Sequence, residues 1–328
     1  MKLVTFTTAD DTSARVGALT DDGAHIVALA AGHERFFGGA EGAFRDMLAL
    51  IAAGPRALER ADSIIRAQVM EAVTPLHHAR LLAPVPVPVQ IRDFSAFELH
   101  LLQCSATIPT LDLPGVPRMA GPRSDAPAAL PQVWYQQPIY YKGNRLSVVG
   151  PEADVIWPPY SQCMDYELEF GVFIGKTGRD IPAQRASEYI FGYTIYNDFS
   201  ARDAQLREMP GLLGPAKGKD FDTGNAMGPW LVTADEITNP YALDMAVRVN
   251  GVERGRGSSA SMRYRFEDMI AHVSQGETLH SGEFLGSGTV GNGCGLESGR
   301  FLAHGDCVEL EVSGLGILRN RVRRQEQQ

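Results

Sequence analysis

Asp165-Tyr166-Glu167-Leu168-Glu169-Phe170-Gly171-Val172-Phe173-Ile174-Gly175 is the stretch from which the fold is best read. Its acidic and apolar side chains alternate with the period of an extended strand. Asp165, Glu167 and Glu169 therefore share one face, and Tyr166, Leu168 and Phe170 the other. Val172-Phe173-Ile174 continues the strand with apolar residues on both faces, which implies burial on both sides. Carboxylates two residues apart on such a strand repel one another and lose hydration. Two readings fit the stripe alone: an edge strand with a solvated acidic face, or carboxylates gathered around a hard divalent cation that takes oxygen ligands.

A second acidic position favours the cation. Tyr193-Thr194-Ile195-Tyr196-Asn197-Asp198 reads as an apolar strand ending in an acid, and Phe199-Ser200-Ala201-Arg202-Asp203 follows it. Ser200 with Asp203 fits a helix-capping pattern, which sets Asp198 at a strand end just before a helix. That is a common position for a ligand.

Outward from this centre the chain divides. Residues 1–82 read as a small α+β domain, with short strands at Lys2 to Thr7, Ala14 to Leu19 and Ala24 to Leu29. Helical patterns follow from Gly42 to Ala52 and from Arg56 to Ala72. Ala83-Pro84-Val85-Pro86-Val87-Pro88-Val89 is read as the boundary, because alternating prolines lack amide donors and favour an extended backbone. Residues 83–328 are strand-dominated, with short helices from Pro182 to Tyr189, after Ser200 and from Phe266 to Val273. Strands are expected at Val148 to Val155, Glu167 to Ile174, Trp230 to Val232, Leu243 to Val249, Phe284 to Thr289 and Cys307 to Val312, with a hairpin turn at Asn250-Gly251. The fold class is mainly β. A Rossmann sheet is excluded because strands and helices do not alternate and Gly286-x-Gly288 opens no helix.

Composition narrows the function. A net charge of −9 argues against a nucleic-acid surface, and the basic run Arg319 to Arg324 reads as a solvated tail. No segment has the length and apolarity of a membrane span, and the N-terminus lacks a secretory pattern, so a cytoplasmic location is expected. Cys104, Cys163, Cys294 and Cys307 form no Cys-x-x-Cys pair, so their spacing suggests neither a zinc site nor a redox motif.

Taken in order, several motifs resemble the fumarylacetoacetate hydrolase family. They are Asp93-Phe94 with His100; Tyr141-Lys142-Gly143-Asn144; Tyr166-Glu167-Leu168-Glu169; and Asn197 through Asp203. Gly218-Lys219-Asp220-Phe221-Asp222-Thr223 leading to Gly228-Pro229-Trp230, and Gly288 through Glu297, complete the set. The resemblance implies a rolled β-sheet catalytic domain behind a small N-terminal domain, and a homodimer. It implies magnesium, with manganese or calcium as substitutes, held by Asp93, Glu167, Glu169 and Asp198. His100 would be the base that activates water, oriented by Glu297. Lys219, Arg202 and Gln205 would stabilise developing negative charge, and Tyr141, Thr289, Ser95 and Met209 would face the substrate.

The activity implied is hydrolysis of a C–C bond in an acylpyruvate or related β-diketo acid, of the kind met in aromatic-compound catabolism. Decarboxylation, isomerisation or hydration of a 2-oxo acid is the alternative within the family, and a non-catalytic, metal-stabilised binding protein the alternative outside it. Ser95 and Met209 stand where fumarylacetoacetate-cleaving members carry tyrosines, and Pro109 where they carry an arginine. Loss of that bidentate carboxylate clamp points to a substrate with a less acidic tail than fumarylacetoacetate. Residues 105–132, rich in proline and alanine, are read as a lid.

Overall fold

Leu168–Ile174 is buried at every position and pairs on one side with Ile190–Asp198 and on the other with Phe284–Gly286. The computed structural model describes residues 1–67, 69–117 and 130–324. From this central strand a twelve-stranded sheet runs outward in two directions. Past Ile190–Asp198 come Asn225–Thr233 and then the amino-terminal strands Lys2–Thr8, Arg15–Leu19 and His25–Ala28. Past Phe284–Gly286 come Ile91–Phe94 and Tyr140–Gly143. A five-stranded sheet is built from Val252–Ser258, Asp244–Val249, Cys307–Val312, Gly316–Arg324 and Asp154–Trp157. The mainly β fold expected from strand patterning is the fold observed.

Period-2 alternation explains why the large sheet is covered on both faces. Leu168, Phe170 and Val172 pack with Met245, Val247, Leu310 and Leu318 of the second sheet, and Phe266 stacks edge-on against Phe170 with ring centroids 5.1 Å apart. On the opposite face Phe173, Tyr196 and Phe284 pack with Leu50, Ile51, Ala61 and Ile64 of the helices Met47–Ala53 and Pro55–Ala67. Glu167 and Glu169 share the parity of Phe173, so their carboxylates enter a face that is already dry.

Several expected boundaries move, each for a local reason. The pattern from Gly42 to Ala52 breaks because Asp46 caps a new helix, its Oδ1 accepting from the Ala49 amide at 2.8 Å. The helix expected to reach Ala72 ends at Ala67, and Met70–Ala72 forms a separate 3₁₀ turn. Val148 to Val155 is two strands, Val148–Val149 and Asp154–Trp157, divided by a turn at Pro151-Glu152. Phe284 to Thr289 stops at Gly286, because Gly288 takes φ +80° and turns the chain. Asn250 and Gly251 adopt φ 53° and 77°, as the hairpin requires. Of the segment read as a lid, residues 118–129 lie outside the described residues. No helix among the described residues is long and apolar enough to cross a membrane.

Candidate active site

Four carboxylates converge from three strand regions of the large sheet. Glu167 and Glu169 come from the central strand and its approach. Asp198 ends the neighbouring strand, two residues beyond Tyr196, which lies opposite Glu169. Asp93 arrives from the far side, opposite Gly286. A Cβ at Gly286 would lie 2.4 Å from Asp93 Oδ1, so only glycine lets that carboxylate reach the others. One oxygen from each of Asp93, Glu167, Glu169 and Asp198 lies within 4.8 Å of the rest, and all four residues are buried.

Such crowding is electrostatically costly. Burial and the neighbouring negative charges push Asp93 and Glu169 well above the usual carboxylate range, and burial raises Asp198 as well. Glu167 is the exception: burial works against its charge, but Lys219 and Arg202 hold it below that range. Lys219 Nζ donates to Glu167 Oε2 at 2.6 Å and to Asp198 Oδ2 at 2.5 Å. Asp93 Oδ1 and Asp198 Oδ1 are buried and accept no hydrogen bond. A four-carboxylate, all-oxygen set with one shared lysine and two unpartnered oxygens matches what a hard divalent cation requires. The residues present therefore fit such an ion.

Arg202 does something other than face a substrate. Its guanidinium is buried, with Nε donating to Asp165 Oδ2 at 2.8 Å, Nη1 to Gln205 Oε1 at 2.9 Å, and Nη2 lying 2.7 Å from Glu167 Oε1. Asp165 also accepts from the amides of Gly295 at 2.7 Å and Leu296 at 2.9 Å. It thus ties Arg202 to the glycine-rich loop that presents Glu297. Strict alternation would have sent Asp165 into the carboxylate cluster. The register itself is unbroken, Met164–Asp165 pairing with Ser200–Ala201 and Leu168 with Asn197, but the regular ladder lapses at Tyr166 and Glu167 between them. The capping pattern of Ser200 and Asp203 is also not realised. Ser200 Oγ donates to the Asp198 carbonyl at 3.0 Å, and Asp203 anchors Ser161 and the Gln162 amide. The Asp165→Ala variant is expected to lose about 3–5 kcal/mol, the cost of stranding a buried arginine partner. Urea unfolding with far-ultraviolet circular dichroism checks this, and a loss under about 1 kcal/mol would contradict it.

His100 lies on the helix Glu98–Thr107, and its Nδ1 is 2.8 Å from Glu297 Oε1. The other Glu297 oxygen accepts from the Cys294 amide at 3.1 Å, which fixes the carboxylate. Burial opposes charge on the imidazole, but Cys294 and Glu297 outweigh it and push the pKa up to about 10. Burial holds the Cys294 thiol well above its ordinary range, so near neutrality it is uncharged and Glu297 is the partner that acts.

His100, Glu167, Glu169, Asp93 and Lys219 line one cavity of about 270 Å³ together with Ser95, Tyr141, Gln205, Met209 and Thr289. Tyr141 and Thr289 are also committed to the acids: the phenol donates to Asp198 Oδ2 at 2.7 Å and the threonine hydroxyl to Glu169 Oε1 at 3.2 Å. Pro109, in the 3₁₀ turn Ile108–Thr110, is not among the residues that line this cavity. Asp165 has the parity of the acidic stripe but stands behind it, and the loop it anchors lies far along the chain. One feature was missed from sequence. Cys104 and Cys294 flank His100, and only the helical spacing of residues 100 and 104 hinted at this.

A rolled sheet with a buried all-oxygen acidic cluster, opened by one cavity beside a histidine–glutamate pair, defines a class of small-molecule site. The chain belongs to the fumarylacetoacetate hydrolase family: the profile of the fumarylacetoacetate (FAA) hydrolase C-terminal domain matches residues 119–323. Asp93 and His100 lie before that match and join the site through tertiary structure. Human oxaloacetate tautomerase FAHD2A, a mitochondrial protein, is 40% identical over 190 residues, 57% of this chain and 59% of that protein. The chain therefore aligns with less than two thirds of that relative. The crystal structure of a probable 2-hydroxyhepta-2,4-diene-1,7-dioate isomerase from Mycobacterium abscessus matches at 26% identity and TM-score 0.71, covering 100% of both chains. Fumarylacetoacetate hydrolase from psychrophilic Exiguobacterium antarcticum matches at 25% identity and TM-score 0.73, covering 99% of this chain and 100% of that one. Named members of this family are hydrolases, isomerases and tautomerases.

Proposed function

We propose that this chain is a divalent-cation-dependent enzyme that hydrolyses a C–C bond in an acylpyruvate or related β-diketo acid. The observation that supports this best is that His100, paired with Glu297, lines the same cavity as Asp93, Glu167 and Glu169 of the carboxylate cluster. Asp93, Glu167, Glu169 and Asp198 would hold the ion. Magnesium, or manganese or calcium in its place, supplies Lewis acidity toward adjacent substrate oxygens when bound there.

The protein's own groups account for the rest. In the neutral form His100 takes a proton from water as the water oxygen bonds to the acyl carbonyl carbon. Glu297 accepts from Nδ1, which leaves Nε2 free for that task and stabilises the imidazolium. The C–C bond then breaks with its electron pair going to the pyruvate fragment, and the proton held by His100 returns to that carbon. Lys219 offsets negative charge that develops on the departing fragment. The cavity is at the small end of ligand pockets, and among the described residues Leu101, Ile139, Met209 and Pro215 line it while no arginine does. This suits a short substrate with an uncharged tail. A homodimer is proposed on the family likeness.

Replacing Glu297 with glutamine removes the negative charge that favours the imidazolium. The pKa of His100 then falls, and the rising limb of the pH–rate profile moves down by about 1–3 units in the metal-loaded enzyme. An unmoved limb in kcat/KM would show that Glu297 does not set the protonation of His100.

The likeness to the human tautomerase favours a second reading, in which the same pair shuttles a proton between carbon and oxygen of an oxo acid without cleavage. A panel of acylpyruvates and enol-oxaloacetate, assayed with magnesium or manganese and again with chelator, separates the two. Metal-dependent release of two acids, resolved by mass, supports hydrolysis. Loss of enol absorbance with no change in mass moves the chain to the tautomerases.

A further inference from the structure

Beside the oxygen cluster stands a second set of donors with the opposite chemistry. Cys104 follows His100 by one helical turn on Glu98–Thr107, so both project from one face. Cys294 comes from the glycine-rich loop. Its approach to the active site is fixed by the bridge between Glu167 and Cys294. Cys104 Sγ lies 3.8 Å from His100 Nδ1, and Cys294 Sγ lies 3.9 Å from the same nitrogen. One donor atom from each of the three residues falls within 4.8 Å of the others. Both thiols are free and buried, in an apolar shell formed with Leu296, Ile108, Leu111 and Phe301.

These separations are close to those of a metal site. Zinc–sulfur and zinc–nitrogen bonds of about 2.3 and 2.0 Å put tetrahedral sulfur and nitrogen donors roughly 3.5 Å apart, so each sulfur-to-Nδ1 separation needs to close by only a few tenths of an ångström. Two thiolates would neutralise a dication, and the dry shell would strengthen its binding. Thiolate and imidazole select soft or borderline ions, whereas the carboxylate cluster selects hard ones. The two sets would therefore load independently.

We infer that His100, Cys104 and Cys294 form a second cation site, specific for thiophilic divalent ions such as zinc. Its occupation switches off the His100–Glu297 pair. The cation takes the electron pair on Nδ1, which then has no proton to share with Glu297 Oε1. Glu297 either releases the ring or becomes the fourth ligand. That binding of zinc inhibits turnover rests on the proposed role of His100; the binding itself does not.

The test uses cobalt as a spectroscopic stand-in, added to full-length protein whose carboxylate site is kept saturated with magnesium, under a non-thiol reductant. One equivalent of cobalt should give a thiolate-to-metal charge-transfer band. Zinc should displace it. Cys104→Ser and Cys294→Ala, each checked for fold by circular dichroism, should each weaken binding by at least about 100-fold, beyond what loss of an outer-shell partner causes. Zinc should inhibit the parent at one equivalent and spare both variants at that dose. Absence of the band from the parent, or a band unchanged in both variants, overturns the site whatever reaction the enzyme catalyses. A normal band with no loss of turnover keeps the site and overturns its control of His100.

Discussion

Glu169→Ala is expected to abolish divalent-cation binding at the carboxylate cluster. Glu169 is fully buried, and its two oxygens are fixed by the Gly288 amide at 2.9 Å and the Thr289 hydroxyl at 3.2 Å. It is therefore preorganised as a ligand and has no solvated alternative. Calorimetric titration with magnesium or manganese checks the prediction, and equal affinity in variant and parent would falsify the ligand assignment. A second consequence distinguishes a ligand from a packing residue. Without metal, burial and the charges of Asp93, Glu167 and Asp198 raise Glu169 well above the usual carboxylate range. A carboxyl raised on folding costs stability above its unfolded pKa of about 4, and that cost fades as pH falls toward it. The isosteric Glu169→Gln should thus melt higher than the parent in chelator at neutral pH, by about 2–4 °C for each kcal/mol relieved. The difference should shrink near pH 4, and in excess magnesium the order should reverse.

His100→Ala is expected to leave the cation bound while lowering kcat by about 10²–10⁴-fold, the range for removing a general acid–base group. The ring is not one of the four cluster carboxylates, and its pair with Glu297 is built on a separate helix and loop. Losing it should not disturb cation affinity. Steady-state kinetics on the substrate that the panel identifies, beside calorimetry for the metal, provide the two readouts. Parental turnover would remove His100 as the base. A parallel loss of metal affinity would instead make it a structural support of the cluster.

Local pattern alone was enough for part of this site. Alternation in Glu167-Leu168-Glu169 followed by a doubly apolar run fixes a buried central strand with two inward acids, because side-chain period is a property of the backbone. The Asn250-Gly251 hairpin and the strand Cys307–Val312 were legible for the same reason. Asp198 was legible as an acid ending an apolar strand.

Tertiary structure decided what depends on chain crossings. Asp165 has the parity of Glu167 and Glu169, yet its carboxylate grips the 293–297 loop and Arg202 instead of joining theirs. Arg202 could be assigned to a substrate from its motif, but burial against Asp165 and Glu167 commits it to holding the Glu167 carboxylate in place. Asp93 joins acids more than seventy positions away only because its strand docks beside a glycine that leaves room for it. Cysteine spacing gave no sign of a soft-cation site. His100 and Cys104 sit one turn apart on a helix, but Cys294, some 190 positions later, meets them through a glycine-rich loop whose path is set by the completed sheet. Local periodicity determines which faces are acidic and which are buried; the closing of distant strands determines which acids, cations and thiols share a site.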